Sequence, residues 1–382
     1  MGRRLAGEGT IYRRKDGTWS AQLSLPEGRK TYYGRTQKEV RDKLLTARKD
    51  AKKGLVIFGP SPTLGDFCTR WLNDVVKPSV RPRTWENYVL NVDRLRPYLG
   101  SKRLSTLKPE EVQAAYGRLL DSGLTARSVH QAHAVLHRAL HQAVVWGLVG
   151  RNVGDAVAAP RPIRHEMHTL SRDEVWRLFS VTRGDRLYPL WVVLATTGLR
   201  VGEALGLGWD AVDFEGRRLL IGRALQRQRG KGLVLVEPKT GRSRRAVHVS
   251  QLVLTALRER RTRQLEERLF TGQSWEDNGL IFTKVSGRPM DSGMVSWSLH
   301  KALDAADLPR VRVHDLRHTA ATLLLAEGVH PKVVQELLRH SSITLTLDTY
   351  SHVVPGLHAE AAARMDVLFQ SVDEEPQGGR LQ

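Results

Sequence analysis

From about residue 64 to residue 155, apolar side chains recur every three or four positions, the period of helices with one buried face. Phe67, Trp71 and Leu72 share such a face, and Tyr88, Val92 and Leu95 share the next, for which Thr84 in "KPSVRPRT" is a candidate cap. "STLKPEEVQAAYGRLL" opens after a Thr/Pro signal, and "TARSVHQAHAVLHRALHQAVVWGLV" predicts a long amphipathic helix from near Thr125. Residues 1–55 follow a different rhythm. "GTIYRRKDGTWSAQLSLPEGRKTYYGRT" has short β-prone pieces broken at Asp16-Gly17 and at Pro26-Glu27-Gly28, and a polar helix follows over about Gln37 to Lys52. So small a sheet needs large side chains to cover it, so Trp19 and one of the tyrosines are expected in its core.

Linkers rich in Gly and Pro separate the parts: "KKGLVIFGPSPTL" first, then "NVGDAVAAPRPIRHEMHTLS". Ser171 ends the second and is placed to cap the helix "RDEVWRLFS". A larger, mainly helical domain then spans 168–370, where "GRRLLIGRAL", "GLVLVEP" and "RRAVHVS" predict one small three-stranded sheet. Residues 371–382 are polar and expected to be disordered. The expected fold class is multidomain and mainly α with small β-sheets: a three-stranded sheet plus helix, a helical module, and a mixed α/β domain.

Composition narrows the function classes. Among 382 residues, 41% are hydrophobic, enough for sizeable cores, yet no run approaches the roughly eighteen apolar residues of a membrane span. "MGRRLAGEGTIYRRKDG" is basic but lacks the apolar run of a secretory signal. One cysteine, Cys68, builds neither a disulfide framework nor a thiolate cluster, which points to a reducing, cytosolic setting. Sixty Lys and Arg face forty Asp and Glu, a net charge of +20 that favours a polyanionic partner, nucleic acid first. Residues 1–55 concentrate that surplus, with fifteen Lys and Arg against six Asp and Glu, and Arg13, Arg14 and Lys15 at the hairpin are candidate DNA contacts. His130, His133, His137 and His141 recur at helical spacing, but no carboxylate or cysteine in the run completes a ligand set, so a half-exposed helix face is the expectation and no metal is assigned.

Four segments of the last domain carry candidate chemistry. In "TTGLRVGEALGL" a short apolar helix ends at Gly198, and Arg200 and Glu203 open another; the pair is either structural or a phosphate clamp built on the arginine fork. In "VEPKTGRSRRAVHV" two β-prone pieces flank Lys239, consistent with a hairpin carrying it at the tip, and Arg242, Arg244 and Arg245 continue the basic stretch as candidate DNA contacts. "HDLRHTAA" puts His314 and Arg317 three residues apart on one helix face, with Leu323 and Leu324 packing behind. In "VVQELLRHSSITLTLDTYSHV" a helix ending at Leu338 delivers His340, and Tyr350 follows ten residues later; "HPKVVQELLRHSS" is alternatively half of a helix-turn-helix reader.

In this order and spacing the segments resemble the tyrosine recombinase, or phage integrase, family, and more narrowly the integrases of temperate phages and mobile elements of actinobacteria. The resemblance spans nearly the whole chain and is strongest over 168–355. It implies a catalytic set of Arg200, Lys239, His314, Arg317, His340 and Tyr350, with Glu203 supporting and His352 secondary. Arg339 stands where the family often has Gly before the histidine, a departure that bears on the local turn geometry and adds a candidate phosphate contact. The resemblance further implies an arm-type DNA-binding domain at 1–55 that inserts its sheet into a major groove, and a core-binding, SAM-like domain at 64–155 that clamps duplex DNA with the catalytic domain. It also implies a helix within 356–369, with Leu357, Ala361, Met365 and Leu368 or Phe369 on one face, that docks onto a neighbour in a tetramer.

The expected activity is site-specific strand exchange at DNA attachment sites through a 3′-phosphotyrosyl link, integrating and excising mobile DNA. It needs no cofactor and no metal. Expected partners are duplex DNA, three further copies of the chain, a directionality factor and a DNA-bending protein, with no membrane. The rivals are a type IB topoisomerase-like relaxase built from the same residue types and a DNA-binding regulator without catalysis.

Overall fold

Asp16 and Gly17 turn the chain as their residue types dictate. Gly17 takes φ 82°, and the Asp16 carboxylate accepts from the Thr18 amide (3.0 Å) and hydroxyl (2.6 Å). The turn sets β1 (Thr10–Arg13) antiparallel to β2 (Trp19–Leu25), with Thr10 opposite Gln22 and Arg13 opposite Trp19; β3 (Gly28–Gly34) pairs along the other side of β2. Side chains alternate across the sheet, so Ile11, Trp19, Ala21, Leu23 and Tyr32 face α1 (Gln37–Lys52) and pack on Val40, Leu44 and Ala47. Trp19 and Tyr32 thus fill the small core expected of them.

The computed structural model describes residues 9–25, 28–52, 61–163, 168–237, 245–339, 342–343, 362–363 and 365–369. The chain divides into two compact units, Met1–His165 and Glu166–Gln382.

After the amino-terminal sheet, the first unit holds a helical module. Thr63 caps α2 (Leu64–Trp71) by accepting from the Asp66 amide at 3.1 Å. The helix widens into a π-helical stretch at Leu72–Val76 before a last turn, α3 (Lys77–Ser79), because Pro78 has no N–H to continue an α ladder. The next helix, α4 (Pro82–Leu99), begins at Pro82 with Arg81 as its cap residue, so Thr84 lies inside the first turn rather than capping it. A proline at the first helical position supplies a preset φ and loses no hydrogen bond, so no side-chain cap is required there. Helices α5 (Pro109–Asp121) and α6 (Ala126–Val145) complete the module, the latter capped by Thr125 as predicted. Phe67, Trp71, Val92, Leu95, Tyr116, Leu136 and Leu140 form its core. Cys68 is buried there, and burial pushes its thiol up to about 12, leaving it unreactive. Two of the α6 histidines serve packing: His133 Nδ1 hydrogen-bonds the Tyr116 hydroxyl at 3.0 Å, and His137 Nε2 meets Asp155 Oδ1 at 2.7 Å.

The second unit is built round α8 (Tyr188–Thr197), an apolar helix buried along almost its whole length. It follows α7 (Arg172–Thr182), where Ser171 and Glu174 form a reciprocal capping box, and precedes the short α9 (Val201–Leu205). The strands then depart from the single three-stranded sheet predicted for this region. β4 (Val212–Asp213), β5 (Arg218–Ile221) and β8 (Arg245–His248) form one sheet, while β6 (Ala224–Gln228) and β7 (Gly232–Val236) form a separate hairpin. The pieces either side of Lys239 therefore pair with different partners, β7 with β6 and β8 with β5, so they are not two arms of one hairpin. The tight turn at Gln228–Gly232, with Gly230 and Gly232 at φ 74° and 72°, closes β6 on β7 before β8 is reached. Helices α10 (Gln251–Thr271), α11 (Ser292–Ala305), α12 (Val313–Ala326) and α13 (Pro331–Leu338) finish the unit, with α10 and α12 both packed against α8.

Behind α8 lies a buried ion network with no signature in the sequence pattern. Arg260, 2% exposed, gives two parallel 2.9 Å hydrogen bonds to Glu267, and Arg186 reaches the same carboxylate at 2.9 and 3.0 Å. Arg260 Nε and Arg186 Nη2 also donate to the carbonyls of Ile281 and Thr283, fixing the loop before α11. Burial acts to raise the Glu267 carboxyl, but hydrogen bonds and charge from Arg260 and Arg186 outweigh it and hold the pKa below its ordinary value. A carboxyl so depressed contributes stability that is present above its unfolded pKa and is lost as pH falls through the lower folded value. Glu267→Ala leaves two guanidinium groups uncompensated and should destabilise the chain by about 3–5 kcal/mol at neutral pH. Denaturant unfolding of wild type and variant measures this, and equal midpoints would refute it.

Candidate active site

Gly198 ends α8 in the left-handed region (φ 61°, ψ 23°), which turns its carbonyl towards α12. There Arg317, 2% exposed, donates from Nη1 to Gly198 O at 2.6 Å and from Nη2 to the carbonyl of Leu338, the last residue of α13. One buried guanidinium thus joins the carboxyl ends of two helices, where the partial negative charge of the backbone dipoles gathers. A Cβ at Gly198 would lie 2.3 Å from Leu338 Cδ2, so the leucine tip would have to shift to admit one.

Two residues beyond Gly198, Arg200 caps α9. Glu203 accepts from its amide at 3.1 Å and from its Nη1 at 3.1 Å, and also from Arg245 Nη2 at 3.3 Å. The Arg200 side chain is 47% exposed, whereas those of Glu203 and Arg245 keep 15% and 13%. Burial would raise the Glu203 carboxyl, but the charges of Arg245 and Arg200 and the hydrogen bonds they donate hold it below the usual carboxylate range. The sequence groups Arg245 with Arg242 and Arg244 as candidate DNA contacts, but it is the first residue of β8 and its side chain is largely buried against Glu203.

His314 sits in the first turn of α12, where Asp315 caps the helix by accepting from the Arg312 amide at 2.8 Å. It is exposed by area, yet its ring lies against protein. That desolvation, with the charges of Arg317, Arg200 and Arg312 against a smaller opposing pull from Asp315, pushes its pKa down. The charges of Arg317 and Arg200 thus both act on the His314 ring. His318, one turn on, stacks edge-to-face on His314 with ring centres 5.1 Å apart; burial first, then the His314 charge, takes its pKa to about 4. The sequence offered no role for it, and its spacing of four from His314 was the available signal.

Arg339, at the position where glycine is frequent, ends α13 with φ 53° and ψ 52°. Glycine reaches this region without cost, whereas an L side chain loses on the order of 1–2 kcal/mol. What the chain gains is a cation whose charge acts on Arg245. Lys239, Arg242, Arg244, His340, Tyr350 and His352 lie outside the described residues, as do Leu357 and Ala361. Among the described residues no group of three or more His, Cys, Asp or Glu is placed to hold a metal ion, and no helix is long and apolar enough to cross a membrane.

In the amino-terminal sheet, Arg14 lies over the Tyr33 ring (5.2 Å) and also pairs with Asp16 at 3.2 Å. The face opposite α1 carries Tyr12, Gln22, Thr31 and Tyr33, with Gln22 Nε2 donating to the Tyr12 hydroxyl at 3.2 Å. Counting charge alone pointed to Arg13, Arg14 and Lys15 and passed over this polar–aromatic face, which strand alternation would have revealed.

Comparison with known proteins bears on the same segments. Residues 168–355 match the phage integrase family, and residues 63–120 match the phage integrase N-terminal SAM-like domain. A tyrosine recombinase XerC-like protein of Caldanaerobacter subterraneus subsp. tengcongensis is 31% identical over 365 residues, 89% of this chain and 92% of that protein. An integrase of Saccharopolyspora erythraea is 26% identical, covering 95% of this chain and 97% of the relative. Among solved structures, the Tn1549 transposon integrase in complex with a circular intermediate DNA superposes with TM-score 0.68 at 23% identity, over 81% of this chain and all of that one. A lambda integrase tetramer bound to a Holliday junction gives TM-score 0.55 at 20% identity, over 91% and 96%.

Gly198→Ala forces a methyl group against Leu338 and a side chain into the left-handed region, so it should cost about 1–3 kcal/mol of stability. The check is chemical denaturation of both proteins. An unchanged midpoint would mean that α13 is not seated on Gly198.

Proposed function

The chain belongs to the phage integrase family of tyrosine recombinases and is a site-specific recombinase acting on DNA; from that premise we propose that it integrates and excises mobile DNA through a 3′-phosphotyrosyl intermediate. The observation that carries the assignment of residues is the Arg317 guanidinium joining the ends of α8 and α13, with Arg200 two residues beyond the first end and His314 under the charge of both arginines. The residue after the α13 cap is His340, and Tyr350 follows in sequence.

The chemistry proposed is a pair of transesterifications. The Tyr350 oxygen attacks the phosphorus of a scissile phosphodiester, a P–O bond to tyrosine forms, and the bond to the 5′ oxygen breaks. Arg200 and Arg317 neutralise the non-bridging oxygens, on which negative charge grows in the transition state. His314 and His340 donate hydrogen bonds to the same oxygens. Tyrosine has an ordinary pKa of about 10, so a cationic pocket favours the phenolate. Lys239 gives its proton to the departing 5′ oxygen. Because one phosphodiester-like bond replaces another, a 5′-hydroxyl from a second duplex reverses the step and joins new partners with no cofactor.

Domain roles follow the same reading. Residues 64–155 serve as the core-binding domain, 168–370 as the catalytic domain, and 1–55 as the arm-type domain, with Arg13, Arg14, Lys15 and the Gln22-bearing face of its sheet towards a DNA groove. Arg242 and Arg244 contact phosphate beside the site. A tetramer on paired attachment sites is supported by Met365, Leu368 and Phe369, which are 52%, 66% and 67% exposed on a helical segment and so are free to dock on another copy. A directionality factor and a DNA-bending protein complete the expected partners, and the work is done at DNA in the host cytoplasm or nucleoid.

Two substitutions test the reading. On a nicked suicide substrate, wild type should trap covalent protein–DNA adduct and Tyr350→Phe should trap none; adduct from the Phe variant at the normal rate would refute the nucleophile. Lys239→Ala should slow cleavage by about 10²–10⁴-fold, the usual contribution of a general acid, while specific binding changes little. Equal losses of cleavage and binding would make the lysine an anchor instead.

A further inference from the structure

The Arg200 side chain is 47% exposed, and a long exposed arginine has many rotamers to lose before it can present its fork to a phosphate. Its guanidinium is held by a carboxylate: Glu203 Oε1 accepts from Arg200 Nη1, while Oε2 accepts from the Arg200 amide and from Arg245 Nη2. Arg245 thus holds the far oxygen of the carboxylate that orients Arg200. It does so from an adverse position. Among the described residues its buried Nε meets no hydrogen-bond acceptor, and burial, then the charges of Arg339 and Arg200, oppose its protonated form, while Glu203 favours it by charge and hydrogen bond. A surface arginine serving solubility would not be held 13% exposed among other cations.

Its place in the chain adds a second consequence. Arg245 opens β8, directly after residues 238–244, which include Lys239, and its neighbour Ala246 pairs with Leu220 of β5. The strand start is thereby tied to the cap of α9.

We propose that Arg245 is a positioning residue for strand cleavage: through Glu203 it fixes the Arg200 guanidinium, and it anchors the strand that leaves the Lys239 segment to the same carboxylate. The inference rests on the recombinase function proposed above. It assigns Arg245 no contact with DNA.

The test is a double-mutant cycle in the full chain, reading single-turnover cleavage of a nicked suicide substrate beside DNA affinity for the same duplex. Arg245→Ala should slow cleavage roughly 10- to 100-fold, the scale of a misplaced catalytic group. Affinity should change by less than about threefold, since the residue contributes to the transition state and not to ground-state binding. Arg245→Lys should recover part of the rate. In a Glu203→Gln background, Arg245→Ala should add less than about twofold, because the two act in series. Should Arg245→Ala melt below the assay temperature, Arg245→Gln, which keeps a donor within reach of Glu203, carries the same comparison. Cleavage at the wild-type rate by the Arg245 variants, or a loss that multiplies in full with Glu203→Gln, overturns the positioning role. So does a fall in affinity as large as the fall in rate. A wild-type chain that forms no adduct on any nicked site overturns the recombinase reading itself, and is thereby told apart.

Discussion

A single buried guanidinium sets the geometry of the catalytic unit. Arg317 lies almost wholly out of water, where an unsatisfied cation would cost several kcal/mol, and two carbonyls at helix carboxyl ends accept its hydrogen bonds. Those carbonyls belong to Gly198 and Leu338, far apart in sequence, and each is followed within two residues by an arginine, Arg200 or Arg339. Satisfying one charge therefore brings together the two segments that supply the others. The left-handed backbone at Gly198 and Arg339 is the local condition, since either helix continuing would carry its last carbonyl away from Arg317.

Two other ion networks flank that clamp and differ in what they hold. Arg260, Arg186 and Glu267 engage one another and backbone carbonyls, so they fasten α10 to the loop before α11. Glu203 has two arginines of unequal exposure, one sunk and one open. Only the second arrangement leaves a guanidinium facing solvent next to other cations, which suits an incoming phosphate that would relieve their mutual repulsion. Burial and neighbouring positive charge depress His314 for the same reason, and a bound phosphate would act on it with the opposite sign.

The surplus of +20 belongs to a different level of the mechanism. Long-range charge gathers DNA and makes its binding salt-dependent, but it does not distinguish one sequence or one phosphate from another. Discrimination between sites has to come from faces that can read base edges, and the Tyr12, Gln22, Thr31 and Tyr33 side of the amino-terminal sheet has that chemistry. In the proposed mechanism, selection of one phosphate for cleavage falls to the few arginines whose positions are fixed by buried partners.

How far the residues alone carried the picture follows from the range of the forces involved. Helix starts at Ser171 and Thr125, the stop at Gly198 and the Asp16-Gly17 turn depend on side chains within four positions of the backbone they satisfy, so they were legible in the one-dimensional chain. The ordered set Arg200, His314 and Arg317 was legible as well, through its spacing and the family it resembles. Strand partnership was not, because β5 finds β8 across a complete hairpin and nothing in either strand names its mate. Pro82 displaced Thr84 as helix start, since a ring that presets φ outranks an optional side-chain cap. Burial of Arg245 and the sharing of Glu267 between two arginines were likewise decided only on folding. Whether a charged side chain is solvated or structural depends on what the rest of the chain brings against it, and that is a property of three dimensions.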